Sequence, residues 1–341
     1  MTTLHMELSE RSYDITVGRG ILSSADKYFN LNRRVFILTD DGVPSEYSRA
    51  VASLCAVSKI ATIPMGEVSK SAESYISLLR EMIDFGLTRT DCVVAVGGGV
   101  VGDLGGFLAA SYMRGIDFYN CPTTLLSQVD SSIGGKVAID LSGVKNIVGA
   151  FHQPRGVLID IDTLKTLPKR HIVAGLAESV KMSLTSDAEL FALFEKEEIN
   201  DENLERVIIA SLKIKKRVVE QDEREGGLRK ILNFGHTFGH GIEAASGLSE
   251  LFHGECVALG MLPMTSDEVY ERLIPVLKKL GLPYTYNGDV ERALALVSRD
   301  KKCDGDLVSA IFVDTIGTFR IEKMHILDFC NLVKKNIGRM A

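Results

Sequence analysis

Three short, almost wholly apolar runs alternate with stretches of helical periodicity in the first third of the chain. The runs are Val35-Phe36-Ile37-Leu38-Thr39, Ile60-Ala61-Thr62-Ile63 and Cys92-Val93-Val94-Ala95-Val96; the helical stretches are 44–54 and 70–85. Runs this apolar are strands buried on both faces, and the intervening helices supply the cover. The pattern therefore predicts a parallel sheet wound by helices. Two more strands are expected at 117–121 and 156–161. From about residue 170 the texture changes. Amphipathic stretches at 171–185, 187–197, 202–222, 236–246, 253–262, 266–280 and 289–299 predict a mainly helical second domain, with a hairpin near 307–322 turning at Gly317.

Composition narrows the function. With 45% apolar and 25% charged residues over 341 positions, the chain has ample material for a core and is not a disordered one. A net charge of −6 argues against bulk binding of nucleic acid or an anionic membrane. Residues 92–113 carry one charge, Asp103, but also six glycines, which suits a buried strand and glycine turn better than a membrane span. The N-terminus lacks the basic and apolar regions of a secretory signal. The six cysteines are dispersed with no CxxC pair, so reduced thiols and a cytoplasmic location are expected.

The Cys92–Val96 run leads into Gly97-Gly98-Gly99-Val100-Val101-Gly102-Asp103. Gly97-x-Gly99-x-x-Gly102 matches the dinucleotide fingerprint, in which bare backbone and a helix N-terminus approach a pyrophosphate. The other reading is a tight turn with close helix packing, because two βα units precede it and no acidic residue ends a strand about twenty positions on. Asp130-Ser-Ser-Ile-Gly-Gly-Lys136 resembles half a P-loop, but Asp130 and Val137 stand where Gly and Ser or Thr are needed, which argues against a Walker ATPase. Lys136, with Lys145 and Asn146 further on, either meets an anion or decorates a surface hairpin. The fold expected is α/β: a Rossmann-like parallel-sheet domain over 1–168, then a mainly α-helical domain over 169–341, with the active site in the cleft between them.

Glu178 and Lys181 share a helix face at i, i+3 and are the only charges between His171 and Asp187. A solvated ion pair is the common reason for this spacing; an apolar helix around it suggests a buried site instead. His236 and His240 lie one turn apart, and His253-Gly-Glu255 follows thirteen residues later. Three histidines and a carboxylate point to a divalent metal, zinc above all; spacing alone pairs His236 with His240.

Taken in order, these motifs carry a resemblance. They are the Gly97–Asp103 turn, Tyr112-Met-Arg114-Gly115, Pro122-Thr123-Thr124, Gln128–Lys136, Lys145-Asn146, Ala174-Gly-Leu-Ala-Glu178, Asp222-Glu-Arg-Glu225, Gly227-Leu-Arg229, Leu232-Asn233-Phe-Gly-His236-Thr-Phe-Gly-His240 and His253-Gly-Glu255. Over nearly its whole length the chain resembles the 3-dehydroquinate synthases of the sugar-phosphate cyclase superfamily. The resemblance implies NAD, used catalytically, a Zn2+ or Co2+ ion, and 3-deoxy-D-arabino-heptulosonate 7-phosphate as substrate. The implied metal ligands are Glu178, His236 and His253. NAD would meet Asp40, Glu67, Lys70, Gly98, Gly99, Val100, Asp103, Thr123, Thr124, Leu126, Asp130, Lys136, Lys145, Thr163, Thr166 and Leu167. Substrate and catalysis would involve Asp130, Lys136, Asn146, Lys181, Lys215, Arg229, Asn233, His240 and the turn of Asp300, Lys301 and Lys302. Arg114 would reach the phosphate across a homodimer interface.

The chain departs from the family in two places. His171 replaces the Glu of a Leu-Pro-x-Arg-Glu pattern on the NAD side, and the stretch from Gly260 to Pro283 is shorter. The competing readings are another sugar-phosphate cyclase, a metal-dependent NAD alcohol dehydrogenase, and a non-catalytic metal-binding module. Polar groups converging on apolar segments argue against the last.

Overall fold

The computed structural model describes residues 1–247, 250–297 and 306–338. The chain forms two compact units, Met1–Pro168 and Lys169–Ala341.

In the first unit β1 (Thr2–Met6) and β2 (Tyr13–Gly18) pair antiparallel. β3 (Arg34–Asp40), α1 (Ser45–Ala52), β4 (Val57–Ile63), α2 (Ala72–Asp84), β5 (Cys92–Gly97), α3 (Gly99–Ser111) and β6 (Asp117–Pro122) follow. A separate antiparallel ribbon, β7 (Lys136–Leu141) with β8 (Val144–Phe151), precedes β9 (Gly156–Asp160). Seven strands form one sheet in the order β1-β2-β9-β6-β5-β3-β4, parallel except for the β1–β2 pair.

The two-residue period of the strands sorts their side chains onto two faces. Phe36, Leu38, Val93, Ala95 and Phe118 pack with Leu78, Met82, Leu104 and Leu108 of α2 and α3. Val35, Ile37, Val94, Val96 and Tyr119 pack with Val51 of α1 and with Leu22 and Ala25. β5 is buried at every residue, as a central strand covered on both sides must be.

The chain leaves β3 outward to β4 and returns to place β5 on the other side of β3, from where it runs on to β6. The carboxyl ends of β3 and β5 therefore flank the point where the strand order reverses, which is where ligands bind in open parallel sheets. The glycine turn sits at this point although two βα units precede it.

In the second unit α4 (Lys169–Ser186), α5 (Ala188–Lys196), α6 (Asp201–Gln221), α7 (His236–Ala245), α8 (His253–Met261), α9 (Asp267–Leu280) and α10 (Val290–Val297) are joined by the antiparallel pair β10 (Leu307–Phe312) and β11 (Arg320–His325), followed by α11 (Ile326–Ile337). α4 is buried continuously from Ala174 to Thr185, so Glu178 and Lys181 cannot escape to solvent. Among the described residues no helix is long and apolar enough to cross a membrane.

Candidate active site

The first unit offers a cradle. α3 begins at Gly99 with no side chain capping its first turn, so its leading N–H groups face outward. A Cβ on Gly98 would stand 3.0 Å from the Thr124 methyl, and one on Gly99 3.2 Å from Ser131 Oγ, a buried hydroxyl without a hydrogen-bond partner. Thr123 is tied to the turn by its N–H to Gly97 O at 2.9 Å. A bare helix N-terminus between Thr124 and Ser131 suits a pyrophosphate, so these residues fit a dinucleotide. At the end of β3, Asp40 accepts the Gly42 N–H at 2.9 Å, and burial raises its pKa above the usual carboxylate value.

Beside this cradle Lys70 is buried and donates to Asp103 at 2.5 Å and to Asn146 Oδ1, with Glu67 at 4.0 Å. Burial opposes its charge, but Asp103 and Glu67 outweigh burial and hold its pKa above the ordinary value. Asn146 has φ 53° and donates its N–H to Asp140 at 2.7 Å. Lys70 thus joins α3 to the ribbon that carries Lys136, Lys145 and Asn146.

Asp130 lies in a π-helical turn, Ser127–Ser131, a conformation that recurs at functional sites. Thr163 is occupied within the fold, donating to Asp160 O at 2.7 Å and accepting from Gln128 at 3.1 Å; Thr166 meets the Tyr47 hydroxyl at 3.0 Å. Leu167 N–H donates to Leu164 O at 3.1 Å, closing that turn. Arg114 is exposed, and it and Met113 hold φ of 68° and 49°. Such left-handed non-glycine residues cost about 1–3 kcal/mol each and concentrate at functional sites.

The second unit brings α4, α7 and α8 to one point. Glycines allow it: a Cβ on Gly254 would fall 1.9 Å from Ala174 O on α4, and one on Gly239 2.8 Å from Cys256 O on α8. Glu178 Oε1 lies 3.6 Å from His236 Nε2 and 3.6 Å from His253 Nε2. These contacts are too long for hydrogen bonds. They are close to the roughly 3.4 Å edges of a tetrahedron whose metal–ligand bonds are ~2.0–2.2 Å.

The outer nitrogens are also engaged. His236 Nδ1 faces Phe234 O at 3.1 Å and His253 Nδ1 faces Glu243 Oε2 at 3.1 Å, leaving both Nε2 atoms directed at Glu178. Burial alone would lower the His253 pKa, yet Glu178 and Glu243 raise it to about 9. The site is built around positive charge, and the donor set fits a divalent ion. The three imidazoles also present nitrogens all within 4.8 Å of one another, a second possible triad. The shorter contacts and the buried carboxylate favour Glu178, His236 and His253, with His240 beside them at 5.3 Å from the His236 ring.

Lys181, 1% exposed, pairs with Glu178 inside the helix bundle rather than in solvent. Lys215 on α6 is buried as well. Arg229 and Asn233 come from the stretch Leu228–Asn233, and Asn233 donates to Glu225 at 2.5 Å. The Asp222 carboxylate accepts three backbone N–H groups, from Gly226, Gly227 and Arg229, at 2.8, 2.7 and 2.9 Å. Burial works to raise its pKa, but those three donors win and lower it. His171 stacks on Phe252 at 4.7 Å, and Arg170 holds the Glu255 carboxylate through two contacts of 2.7 Å. Asp300, Lys301 and Lys302 lie outside the described residues.

Family models for the N-terminal and C-terminal regions of 3-dehydroquinate synthase match residues 60–174 and 175–303. A curated 3-dehydroquinate synthase from Clostridium acetobutylicum is 40% identical over 345 residues, covering 95% of this chain and 97% of that protein. The chain belongs to the 3-dehydroquinate synthase family. Related cyclases share the fold. A 2-deoxy-scyllo-inosose synthase solved with carbaglucose-6-phosphate, NAD+ and Co2+ superposes with a TM-score of 0.89 at 25% identity, over 98% of this chain and 100% of that one. The 2-epi-5-epi-valiolone synthase of Streptomyces hygroscopicus subsp. jinggangensis 5008, with NAD+ and Zn2+, gives 0.87 at 27%, over 98% and 99%.

For this member of the 3-dehydroquinate synthase family, sequence reasoning passed over Glu243 and, although it noted the Asp222–Glu225 motif, gave Asp222 no role. The signal for Glu243 was available, since 236, 240 and 243 form an i, i+4, i+7 stripe on one helix face. Asp222 sat in a charge run that reads as a solvated loop, and only the fold shows its carboxylate capturing three backbone donors.

Proposed function

We propose that the chain converts 3-deoxy-D-arabino-heptulosonate 7-phosphate to 3-dehydroquinate and phosphate, as an NAD- and divalent-metal-dependent carbon–oxygen lyase of the shikimate pathway. Family membership over nearly the full chain carries the reading, and the carboxylate facing two imidazoles at 3.6 Å supports the metal site within it. When bound, NAD accepts a hydride from the C5 carbinol and later returns it, while Zn2+ or Co2+ polarises that carbinol oxygen.

The chain's own residues do the rest. Glu178, His236 and His253 hold the ion, and Lys181 balances the charge of the buried Glu178. The bare first turn of α3, with Thr123 and Thr124, takes the cofactor pyrophosphate; Asp40 and the Lys70–Asp103 pair bound the rest of that cradle. Arg229 and Asn233, fixed by the Asp222 turn, orient the sugar acid. Lys136 and Lys215 supply the charge that a phosphate or carboxylate requires. His240, beside the ion yet outside its tightest donor set, holds or moves a proton at the substrate hydroxyl.

The reading includes a homodimer in which Arg114 of the partner subunit reaches the phosphate. The strained, exposed Met113–Arg114 turn and the exposed apolar side chains Ile147 and Phe151 on β8 support it. The free thiols of Cys55, Cys92, Cys121, Cys256 and Cys330 agree with a cytoplasmic enzyme. The test is product identity: incubation with the heptulosonate phosphate, NAD+ and Zn2+ or Co2+ should yield 3-dehydroquinate and equal phosphate by NMR. A different carbocycle, or turnover only of another sugar phosphate, refutes the assignment.

A further inference from the structure

His253 is held from two sides by carboxylates. Its Nε2 lies 3.6 Å from Glu178 Oε1, and its Nδ1 lies 3.1 Å from Glu243 Oε2 on α7. Glu243 is buried and stands one turn beyond His240 on the helix that also carries His236. We propose that Glu243 is a positioning residue for the metal, fixing the tautomer and ring orientation of His253 so that Nε2 carries the lone pair that meets the ion.

A neutral imidazole has one N–H and one lone pair, and an ionised carboxylate can only accept. Glu243 facing Nδ1 therefore assigns the proton to Nδ1 and the lone pair to Nε2, on the side of Glu178. Without an acceptor there, the other tautomer and a flipped ring become available, and each removes the donor from the ion. A carboxylate on the outer nitrogen also makes the inner one more basic. The close α7–α8 approach at Gly239 fixes the separation over which this contact works. The inference rests on the reading of Glu178, His236 and His253 as ligands.

The experiment titrates Co2+ into metal-free wild type, Glu243→Met, Glu243→Ala and Glu243→Gln, reading affinity by chelator competition and ligand geometry by the visible absorption of bound Co2+. Both apolar variants should bind about 10–100-fold more weakly, with an altered spectrum. Glu243→Gln keeps an acceptor of the same size and should lose only about 3–10-fold. Affinity within about threefold of wild type in either apolar variant overturns the proposal. If neither apolar variant folds, wild-type affinity in Glu243→Gln overturns it. His253→Ala separates the two levels. Loss of the ion there with retention in the Glu243 variants removes only the positioning role, whereas wild-type binding by His253→Ala removes the ligand reading beneath it.

Discussion

Replacing Gly254 by alanine should empty the metal site without touching a ligand. The added Cβ would stand 1.9 Å from Ala174 O, a backbone atom on a helix that is buried along its length. A carbon–oxygen contact settles at about 3.3 Å, so α4 and α8 must part by roughly 1.4 Å at this point. Gly254 adjoins His253, and Ala174 lies one turn before Glu178, so the displacement falls on the 3.6 Å contact between those two side chains. Metal sites tolerate only ~0.2 Å in their ligand distances. The shift exceeds that severalfold, and His253 leaves the coordination sphere.

Overpacking of this kind costs about 1–3 kcal/mol, partly offset by the ~1 kcal/mol that alanine gains over glycine in a helix. Melting of the metal-free protein should therefore fall by no more than about 8 °C. Zn2+ affinity, measured by chelator competition, should fall more than about 100-fold, beyond what loss of an outer-shell partner costs. A folded Gly254→Ala protein that binds Zn2+ as tightly as wild type would refute the idea that helix approach sets the ligand geometry.

Three further outcomes are expected. His240→Ala should retain its metal by mass spectrometry yet lose most of its rate, whereas His236→Ala, His253→Ala and Glu178→Ala should lose metal and activity together; an empty His240→Ala beside a loaded His253→Ala would contradict the ligand set. Asp222→Asn should raise KM for the substrate with metal content unchanged, and should cost about 1–2 kcal/mol at neutral pH. Because the folded-state pKa of Asp222 is depressed, that stability is fully present above the unfolded value near 3.9 and disappears as pH falls through the folded one, so wild type and variant should converge in acid-denaturation curves below about pH 4. Mixing inactive Arg114→Ala with inactive Lys136→Ala protein should recover roughly a quarter of wild-type activity once subunits exchange, since half the dimers are mixed and each mixed dimer has one intact site; no recovery despite demonstrated exchange excludes a shared site.

The parallel sheet was legible because Val35–Thr39 and Cys92–Val96 are apolar enough to be covered on both faces; Ile60–Ile63 reads the same way, but β4 is the edge strand of the sheet and buries only Ala61 and Ile63. The second-unit helices were legible from their periodicity, since α4 to α10 bury one face or, for α4 and α8, nearly all faces. β7 and β8 were legible only as one of two readings, a surface hairpin, because β8 stays largely exposed and β7 buries just Val137, Ala138 and Ile139. At the proposed metal site, spacing pointed to His236 and His240, which share a helix face. The proposed ligand set instead joins α4, α7 and α8 across about 75 residues of sequence, through a close helix approach at glycines that no local pattern encodes. Asp222 escaped for the complementary reason: its partners are backbone N–H groups, which every sequence possesses.

The most direct test follows phosphate release and the near-ultraviolet absorbance of NADH together during turnover of the heptulosonate phosphate. A hydride that is removed and returned leaves no net reduced cofactor. Steady phosphate release with a flat NADH signal is expected, at catalytic rather than stoichiometric amounts of NAD+. NADH accumulating in step with product would make the protein a dehydrogenase and refute the cyclase reading.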